Sequence, residues 1–249
     1  APVLKRYLHA LAMCRSMFCA IPCFWRVWDE EARDKMLLFL PVVGLETGAI
    51  WALLAWLCRY LALPALVQGA VLGAYPFVVT GFIHLDGFMD VTDAVRSCRD
   101  LARRREILKD SRVGSFAVIG VVLLALCQTA LFASAKAAAS LWTLVLLPAV
   151  SRCGSALAVT ALRPMSTSQY AAQKKPKAHI IVLCAQLAVY LAAGFLAGWR
   201  TGAALCGCLA GYALALRKAF RSLDGMNGDI SGYALTLSEL CGAAVWALI

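Results

Sequence analysis

Three aspartates at helical spacing, directly after a long apolar run, are the residues of this chain best suited to chemistry. Asp86, Asp90 and Asp93 are separated by four and three positions, so on a helix all three project from one face. Carboxylates this close repel one another unless a cation joins them, and they suit a divalent metal that in turn holds a phosphate. The alternative is a solvated acidic helix end just beyond a membrane span.

The composition indicates a membrane protein. Of 249 residues, 62% are apolar and 15% are charged, whereas about one-quarter of a soluble domain is charged. Apolar stretches of roughly 17–25 residues, the length that crosses a bilayer, follow one another along the chain. The predicted spans are 36–60, 64–83, 113–133, 138–162, 178–199, 201–216 and 232–249. We therefore predict an all-α, polytopic membrane bundle of about seven transmembrane helices in one domain, 1–249.

Two segments are expected to depart from simple spans. The sixth apolar stretch is short and Gly-rich, which favours a broken or re-entrant helix. The N-terminal segment 1–35 is predicted to contain an amphipathic helix on the cytoplasmic membrane face, with Lys5, Arg6, Arg15 and Arg26 near anionic headgroups. A true span is the alternative for this segment. A signal peptide is not indicated, because Arg15 interrupts the apolar run and no small-residue cleavage site follows.

Basic residues concentrate in alternate connections, after the second, fourth and sixth predicted spans. By the positive-inside rule these connections face the cytoplasm and the C-terminus faces outward. The net charge of +10 then reflects topology and contact with membrane lipid, and it also suits phosphorylated substrates. The arginine run 103–105 is expected to form a headgroup-facing helix surface. Nucleic acid is not a predicted partner, since no aromatic-basic module is present.

Further acidic residues are predicted near the same membrane boundary. Asp110 precedes the third span and Asp229 precedes the seventh. Glu239 lies two turns into the seventh span, where an uncompensated carboxylate is costly. Arg152 of the fourth span is its candidate partner, and Glu46 of the first span competes for the same arginine. Two roles for Arg152 stay open at this stage: a structural bridge, or contact with substrate.

Residues 84–112 are therefore predicted to form a cytoplasmic segment of acidic and basic residues that carries the chemistry. Carboxylates would hold Mg²⁺, the metal would hold a pyrophosphate, and basic side chains would take up the remaining phosphate charge. Two enzyme reactions fit, displacement at phosphorus and ionisation of an allylic pyrophosphate. A transporter is a third, non-enzymatic alternative, because acidic residues in spans also serve as proton or cation sites.

The same residues carry a family resemblance. Residues 81–93 resemble the G-x-x-H-L-D-G-x-x-D-x-x-D signature of cobalamin synthase, the adenosylcobinamide-GDP ribazoletransferase family. Residues 104–114 resemble its R-x-x-I-M-x-D-S-R-x-G stretch, with Leu108 in place of Met. Shorter similarities follow in order at 41–48, 151–152 and 228–239, so the resemblance covers essentially the whole chain. Connection 165–177 departs from the family, with Lys174 and Lys175 in place of an expected Glu-Gly pair.

The resemblance implies the last step of cobalamin nucleotide-loop assembly. The cobinamide-phosphate moiety of adenosylcobinamide-GDP would pass to a ribose hydroxyl of α-ribazole or its 5′-phosphate, and GMP would leave. The resemblance implies a Mg²⁺-dependent transferase in the cytoplasmic (inner) membrane of a prokaryote, with Asp86, Asp90 and Asp93 as metal ligands and the site facing the cytoplasm. A CDP-alcohol phosphotransferase is the nearest alternative, but the Ala-Arg of its signature is missing after Asp86-Gly87. Assembly as a homo-oligomer is left open.

The remaining site residues are assigned by their chemistry. His84 has two open roles, the general base for the ribose hydroxyl or a partner that orients an aspartate; the second is favoured, because nearby carboxylates keep a histidine protonated. Arg96 and Arg112 are candidates for phosphate oxygens, where arginine can make bidentate contacts. Asp110 and Asp229 are candidates for a second metal or for nucleoside hydroxyls.

Overall fold

The computed structural model describes residues 3–136, 139–166, 168 and 176–249. Within these ranges the chain is helical and contains no β-strand, only an isolated bridge between Pro164 and Met226. The elements are α1 (Val3–Phe18), a 3₁₀ helix (Arg33–Phe39), α2 (Leu40–Tyr60), α3 (Ala65–Val79), α4 (Ile83–Arg96), α5 (Leu101–Ile107), α6 (Ser115–Ala133), α7 (Leu141–Ala161), α8 (Lys177–Ala197), α9 (Trp199–Leu223) and α10 (Gly228–Leu248). The predicted all-α membrane bundle is confirmed.

Fewer helices than expected meet the requirements for crossing a membrane. Within the described ranges, five helices are long and apolar enough: the continuous Arg33–Tyr60 segment, α6, α7, α8 and α9. The count becomes six if α3 and α4 together form one broken span. The predicted seventh span corresponds to α10, which is not among the qualifying helices. The sixth, expected to be broken or re-entrant, is instead the continuous 25-residue helix α9.

The second predicted span, 64–83, is interrupted before its end. Helix α3 has 15 residues, a length of about 22 Å, and its axis is bent by 91° from that of α4. The bend lies at Gly81 and Phe82, whose φ angles of 60° and 64° are in the left-handed region and cannot continue a right-handed helix. This bend directs the helix that carries the three aspartates away from the axis of α3.

The connections separate into two groups at opposite ends of the bundle. At one end, Arg105 donates to the carbonyl oxygen of Asp224 at 2.7 Å and Arg163 forms an ion pair with the carboxylate of Asp224. At the other end, Arg59 donates to the carbonyl oxygen of Ala139 at 3.0 Å. The three basic connections therefore meet at one end of the bundle, which is the arrangement that the charge pattern predicts.

Two arginines of the α5 run make contacts within the protein that the expected headgroup-facing surface did not include. Arg104 donates to the carbonyl of Ser222 and Arg105 to the carbonyl of Leu223, both at the carboxyl end of α9. Cations are favourable there, because the last carbonyl groups of a helix carry partial negative charge and lack partners within the helix. Two of the three arginines thus attach the connection before α6 to the end of α9.

Helix α1 forms where an amphipathic N-terminal helix was predicted, and it is not among the helices that could span a membrane. Its buried side includes Ala10, Met13, Cys14 and Phe18, and it packs against the 3₁₀ helix and α2. Arg15 of α1 forms an ion pair of 2.8 Å with Glu46 of α2. Lys174 and Lys175, the departures noted in connection 165–177, lie outside the described residues.

Candidate active site

Helix α4 presents Asp86, Asp90 and Asp93 on one face, and we call these three residues the acidic face. All three line a cavity of about 240 Å³ whose opposite wall is the loop from Leu108 to Val113. The helical spacing predicted the shared face, and the structure adds the loop that covers it. We refer to this space as the acid-lined cavity.

A glycine contact between α4 and α10 brings a fourth carboxylate to the acidic face. A Cβ atom on Gly87 would lie 2.9 Å from the Cα of Asp229, and one on Gly232 would lie 3.1 Å from the carbonyl oxygen of His84. Only glycine permits backbones to approach this closely. Asp229, in the first turn of α10, consequently lies close enough to Asp86 for their charges to interact.

Asn227 positions Asp229 and was missed by the sequence reasoning. Its side-chain oxygen accepts a hydrogen bond of 3.0 Å from the backbone of Ile230, which caps α10, and its amide donates to Asp229 at 2.7 Å. An asparagine directly before a helix is a recognisable capping signal. That signal could have identified Asn227, although not its contact with Asp229.

Negative charge around Asp90 is poorly compensated. Asp90 is partly buried and is affected electrostatically by Asp86, Asp229 and Asp93. In the part of the chain that the structure describes, neither Asp86 nor Asp90 has a hydrogen-bond or ion-pair partner for its side chain. A cation would relieve the repulsion, and carboxylate oxygens are the ligands that Mg²⁺ prefers. In the described ranges, however, no group of three His, Cys, Asp or Glu side chains could hold a metal ion as they are placed.

Asp93 differs from the other two members of the acidic face, because both of its oxygens are already engaged. One accepts a hydrogen bond of 2.7 Å from the backbone of Gly114, and the other accepts one of 2.8 Å from the backbone of Ala117. These groups lie at the amino end of α6, where unpaired N–H groups favour a negative charge. Asp93 thus joins α4 to the beginning of α6.

Asp110 and Arg112 lie on the loop wall of the acid-lined cavity. This position is compatible with the predicted roles of Arg112 in phosphate binding and of Asp110 in binding a second metal or nucleoside hydroxyls. Arg112 donates hydrogen bonds to both carboxylate oxygens of Asp110, with the shortest contact at 2.7 Å. These hydrogen bonds lower the pKa of Asp110 to about 2. The Arg112 side chain is otherwise exposed, so its guanidinium group is accessible from the solvent side of the cavity.

Arg152 and Glu239 form a buried ion pair inside the bundle. The distance between them is 2.9 Å, and only 2% and 5% of their side-chain surfaces are exposed. The hydroxyl group of Ser151 donates a second hydrogen bond to Glu239 at 2.8 Å. Glu46, the competing partner, is held by Arg15 instead. The geometry corresponds to the structural bridge, and neither residue lines the acid-lined cavity.

His84 and Arg96 are on α4 but do not face the acid-lined cavity. The imidazole ring of His84 is buried and stacks on Phe18 with the ring centres 6.1 Å apart. Its Nε2 atom has no hydrogen-bond partner within the described ranges. Arg96 lines a different cavity, on the other side of α4. The structure thus brings together Asp86, Asp90, Asp93, Asp110, Arg112 and Asp229, but neither His84 nor Arg96.

Comparison with known proteins gives matches over almost the whole chain. The family model described as Cobalamin-5-phosphate synthase matches residues 10–247. A Clostridium perfringens (strain 13 / Type A) protein named adenosylcobinamide-GDP ribazoletransferase is 33% identical over 255 residues, which cover 99% of this chain and 100% of the relative. A Clostridium botulinum (strain Alaska E43 / Type E3) protein of the same name is 32% identical, with coverage of 96% and 97%. No solved structure matches the chain.

Proposed function

The chain belongs to the cobalamin-5-phosphate synthase family, and we propose that it acts as an adenosylcobinamide-GDP ribazoletransferase, the activity after which its relatives are named. Family membership confirms the resemblance seen in the sequence. It also decides against the CDP-alcohol phosphotransferase and transporter alternatives.

The proposed reaction is a displacement at phosphorus. A ribose hydroxyl oxygen of α-ribazole, or of its 5′-phosphate, attacks the phosphorus atom nearest the cobinamide. A new P–O bond forms, the bond from that phosphorus to the bridging oxygen breaks, and GMP leaves with the bridging oxygen and its electron pair. The hydroxyl proton passes to a base. The product is adenosylcobalamin or its 5′-phosphate.

The acid-lined cavity is the single observation that carries this proposal. It combines Asp86 and Asp90, two carboxylates without a partner in the described part of the chain, with a loop that carries Lys109 and Arg112. Both parts suit a pyrophosphate. Basic side chains can contact its oxygens directly, whereas the carboxylates of the acidic face can contact it only through a bound metal ion. A bound Mg²⁺ would neutralise charge on the pyrophosphate and on the departing GMP.

Asp86 and Asp90 are the proposed metal ligands with the strongest support. Neither carboxylate is paired with any described residue, and Asp229 lies beside them. Asp93, the third ligand predicted from sequence, retains oxygen lone pairs for a metal, yet its two backbone hydrogen bonds support a different task. We assign it chiefly to holding the loop 108–113 over the acidic face.

Arg112 is the proposed phosphate-binding residue of the loop. Its guanidinium group holds the Asp110 carboxylate through two nitrogen atoms, and a phosphate offers the same pair of acceptor oxygens. Substrate binding would exchange one bidentate partner for another. Asp110 would keep the arginine in position until the substrate arrives.

The proposed location is the inner membrane, with the acid-lined cavity on the cytoplasmic side. The basic connections that meet through Arg105, Arg163 and Asp224 support this orientation, since basic connections are retained on the cytoplasmic side.

The test is an assay of purified protein in nanodiscs with adenosylcobinamide-GDP, α-ribazole and Mg²⁺. We expect GMP and adenosylcobalamin in equal amounts and neither product after addition of EDTA. A parallel reaction with α-ribazole 5′-phosphate identifies the acceptor. Absence of GMP with both acceptors, from protein of normal helix content, would contradict the proposed function. Formation of GMP without a corrinoid product would show hydrolysis instead of transfer.

A further inference from the structure

A second cavity lies on the side of α4 opposite to the acidic face. Its volume is about 700 Å³, and it runs between α4, α6, α9 and α10. The lining residues of α4 are Phe88, Thr92, Val95 and Arg96, whose helical spacing places them away from the three aspartates. We call this cavity the lateral groove. Its volume is within the range of roughly 300–1,000 Å³ that ligand sites occupy.

The walls of the lateral groove are apolar and open at the outer surface of the bundle. Ile119 and Leu123 of α6 and Leu214 of α9 line it, and all three residues are more than half exposed. Phe88 and Tyr233 contribute a stacked pair whose ring centres are 5.7 Å apart. Along α6 the groove extends from Phe116 to Cys127, a distance of about 16 Å at the rise of an α-helix.

Two cations lie at one end of the lateral groove. Arg96 is the last residue of α4, and Lys218 is in the last turns of α9. In the described part of the chain neither side chain has an ion pair or a hydrogen bond. Both belong to the end of the bundle where the basic connections meet. The groove thus has a positively charged end near the beginning of α6 and an apolar length along that candidate membrane span.

We propose that the lateral groove binds one anionic phospholipid of the surrounding bilayer. Its phosphate lies between Arg96 and Lys218, and an acyl chain lies along α6 against Phe88 and Tyr233. The charge distribution of the groove matches that of such a lipid, since anionic headgroups attract basic side chains at the membrane surface. Because Phe88 belongs to α4, the bound lipid packs against the helix that carries the acidic face.

Native mass spectrometry can test the lipid site without any measurement of activity. The protein is released from nanodiscs that contain equal amounts of phosphatidylglycerol and phosphatidylcholine. We expect one phosphatidylglycerol molecule to remain bound. Replacement Lys218→Gln should lower its retention about fivefold, the effect of one basic side chain near an anionic phosphate. The matched control is Arg217→Gln, which removes the same charge from the neighbouring position outside the groove, and it should leave retention unchanged.

A second variant tests the apolar part of the site. Cys127 is exposed and lines the groove, so Cys127→Trp should fill the acyl-chain region and abolish lipid retention while helix content remains normal. Equal retention of phosphatidylcholine and phosphatidylglycerol would overturn the proposal. Equal losses in Lys218→Gln and Arg217→Gln would show a general surface effect and would also overturn it, as would unchanged retention in Cys127→Trp.

Discussion

The carboxylate of Asp93 accepts a hydrogen bond of 2.7 Å from the backbone of Gly114, twenty-one positions later in the chain. This contact fixes the end of the loop 108–113 to the acidic face of α4. The loop carries Asp110 and Arg112, so the two halves of the acid-lined cavity are held together by one side chain. The cavity is therefore closed at this point by a contact within the protein and does not depend on a bound substrate.

Replacement of Asp93 tests this assignment. In Asp93→Asn an NH₂ group replaces one carboxylate oxygen and cannot accept a hydrogen bond from a backbone N–H group. The negative charge at the start of α6 is also lost. We expect a loss of about 1–2 kcal/mol in the free energy of unfolding. We also expect faster proteolysis of the connection between α4 and α6, residues 97–114. The concentration of Mg²⁺ that gives half-maximal activity should stay near the wild-type value. A large increase in that concentration would instead indicate that Asp93 binds the metal directly.

The contact between α4 and α10 predicts a strong effect of a small substitution. In Gly87→Ala the new methyl group would lie 2.9 Å from the backbone of Asp229, and the two helices must separate. We expect destabilisation of roughly 1–3 kcal/mol together with reduced activity, because Asp229 moves away from Asp86. Gly73→Ala is a suitable control, since its closest contact would be 3.2 Å; thermal unfolding in detergent should show a smaller change. Equal effects of the two substitutions would contradict the account.

The buried ion pair predicts that the stability effect of replacing Glu239 depends on whether Arg152 is present. Glu239→Gln leaves the Arg152 charge uncompensated in the bundle interior and should cost about 3–5 kcal/mol. The double replacement Arg152→Met with Glu239→Gln removes both charges and should recover most of that loss. Unfolding measurements on the wild type, the two single variants and the double variant give the coupling energy between the two side chains. Additive losses would show that the two side chains do not interact.

Asp110 should titrate at unusually low pH. Its hydrogen bonds to Arg112 lower its pKa from the ordinary 3.8 to about 2. A lowered pKa in the folded state means that the ion pair contributes stability above pH 3.8 and loses it as the pH falls towards 2. The carbon chemical shift of the Asp110 carboxyl group, followed by NMR, measures this directly. Arg112→Gln should return the pKa to near 3.8, and a native value already near 3.8 would contradict the observed pairing.

The extent to which the sequence predicted the structure depended on the range of the interactions. The shared face of Asp86, Asp90 and Asp93 was predictable, because helix periodicity is a local property. The bend at Gly81 and Phe82 was not, since hydropathy measures apolar length and carries no information on backbone direction. The hydrogen bonds of Asp93 were not predictable either, because Gly114 and Ala117 lie more than twenty positions away in the sequence.

The sequence also could not decide which of several distant residues pairs with a given side chain. Arg152 had two candidate glutamates at similar depth, and only the position of Arg15 beside Glu46 shows why Glu239 is the partner. The arginines of α5 illustrate the same limit, because a basic run is compatible with a lipid surface and with a helix carboxyl end. Charge alone could not reveal that Arg104 and Arg105 contact α9.

Asp86 and Asp90, whose carboxylates have no partner among the described residues, are proposed to support a metal-dependent transfer, and one titration tests this proposal most directly. GMP release is measured against Mg²⁺ concentration for the wild type, for Asp90→Asn and for the control Asp34→Asn, whose aspartate pairs with Lys35 away from the cavity. We predict that Asp90→Asn loses more than about 100-fold in rate, since even groups that only orient metal ligands change activity about 10–100-fold. Asp34→Asn should follow the wild-type curve. A wild-type rate and Mg²⁺ dependence in Asp90→Asn would contradict the assignment of the acidic face as the reaction centre.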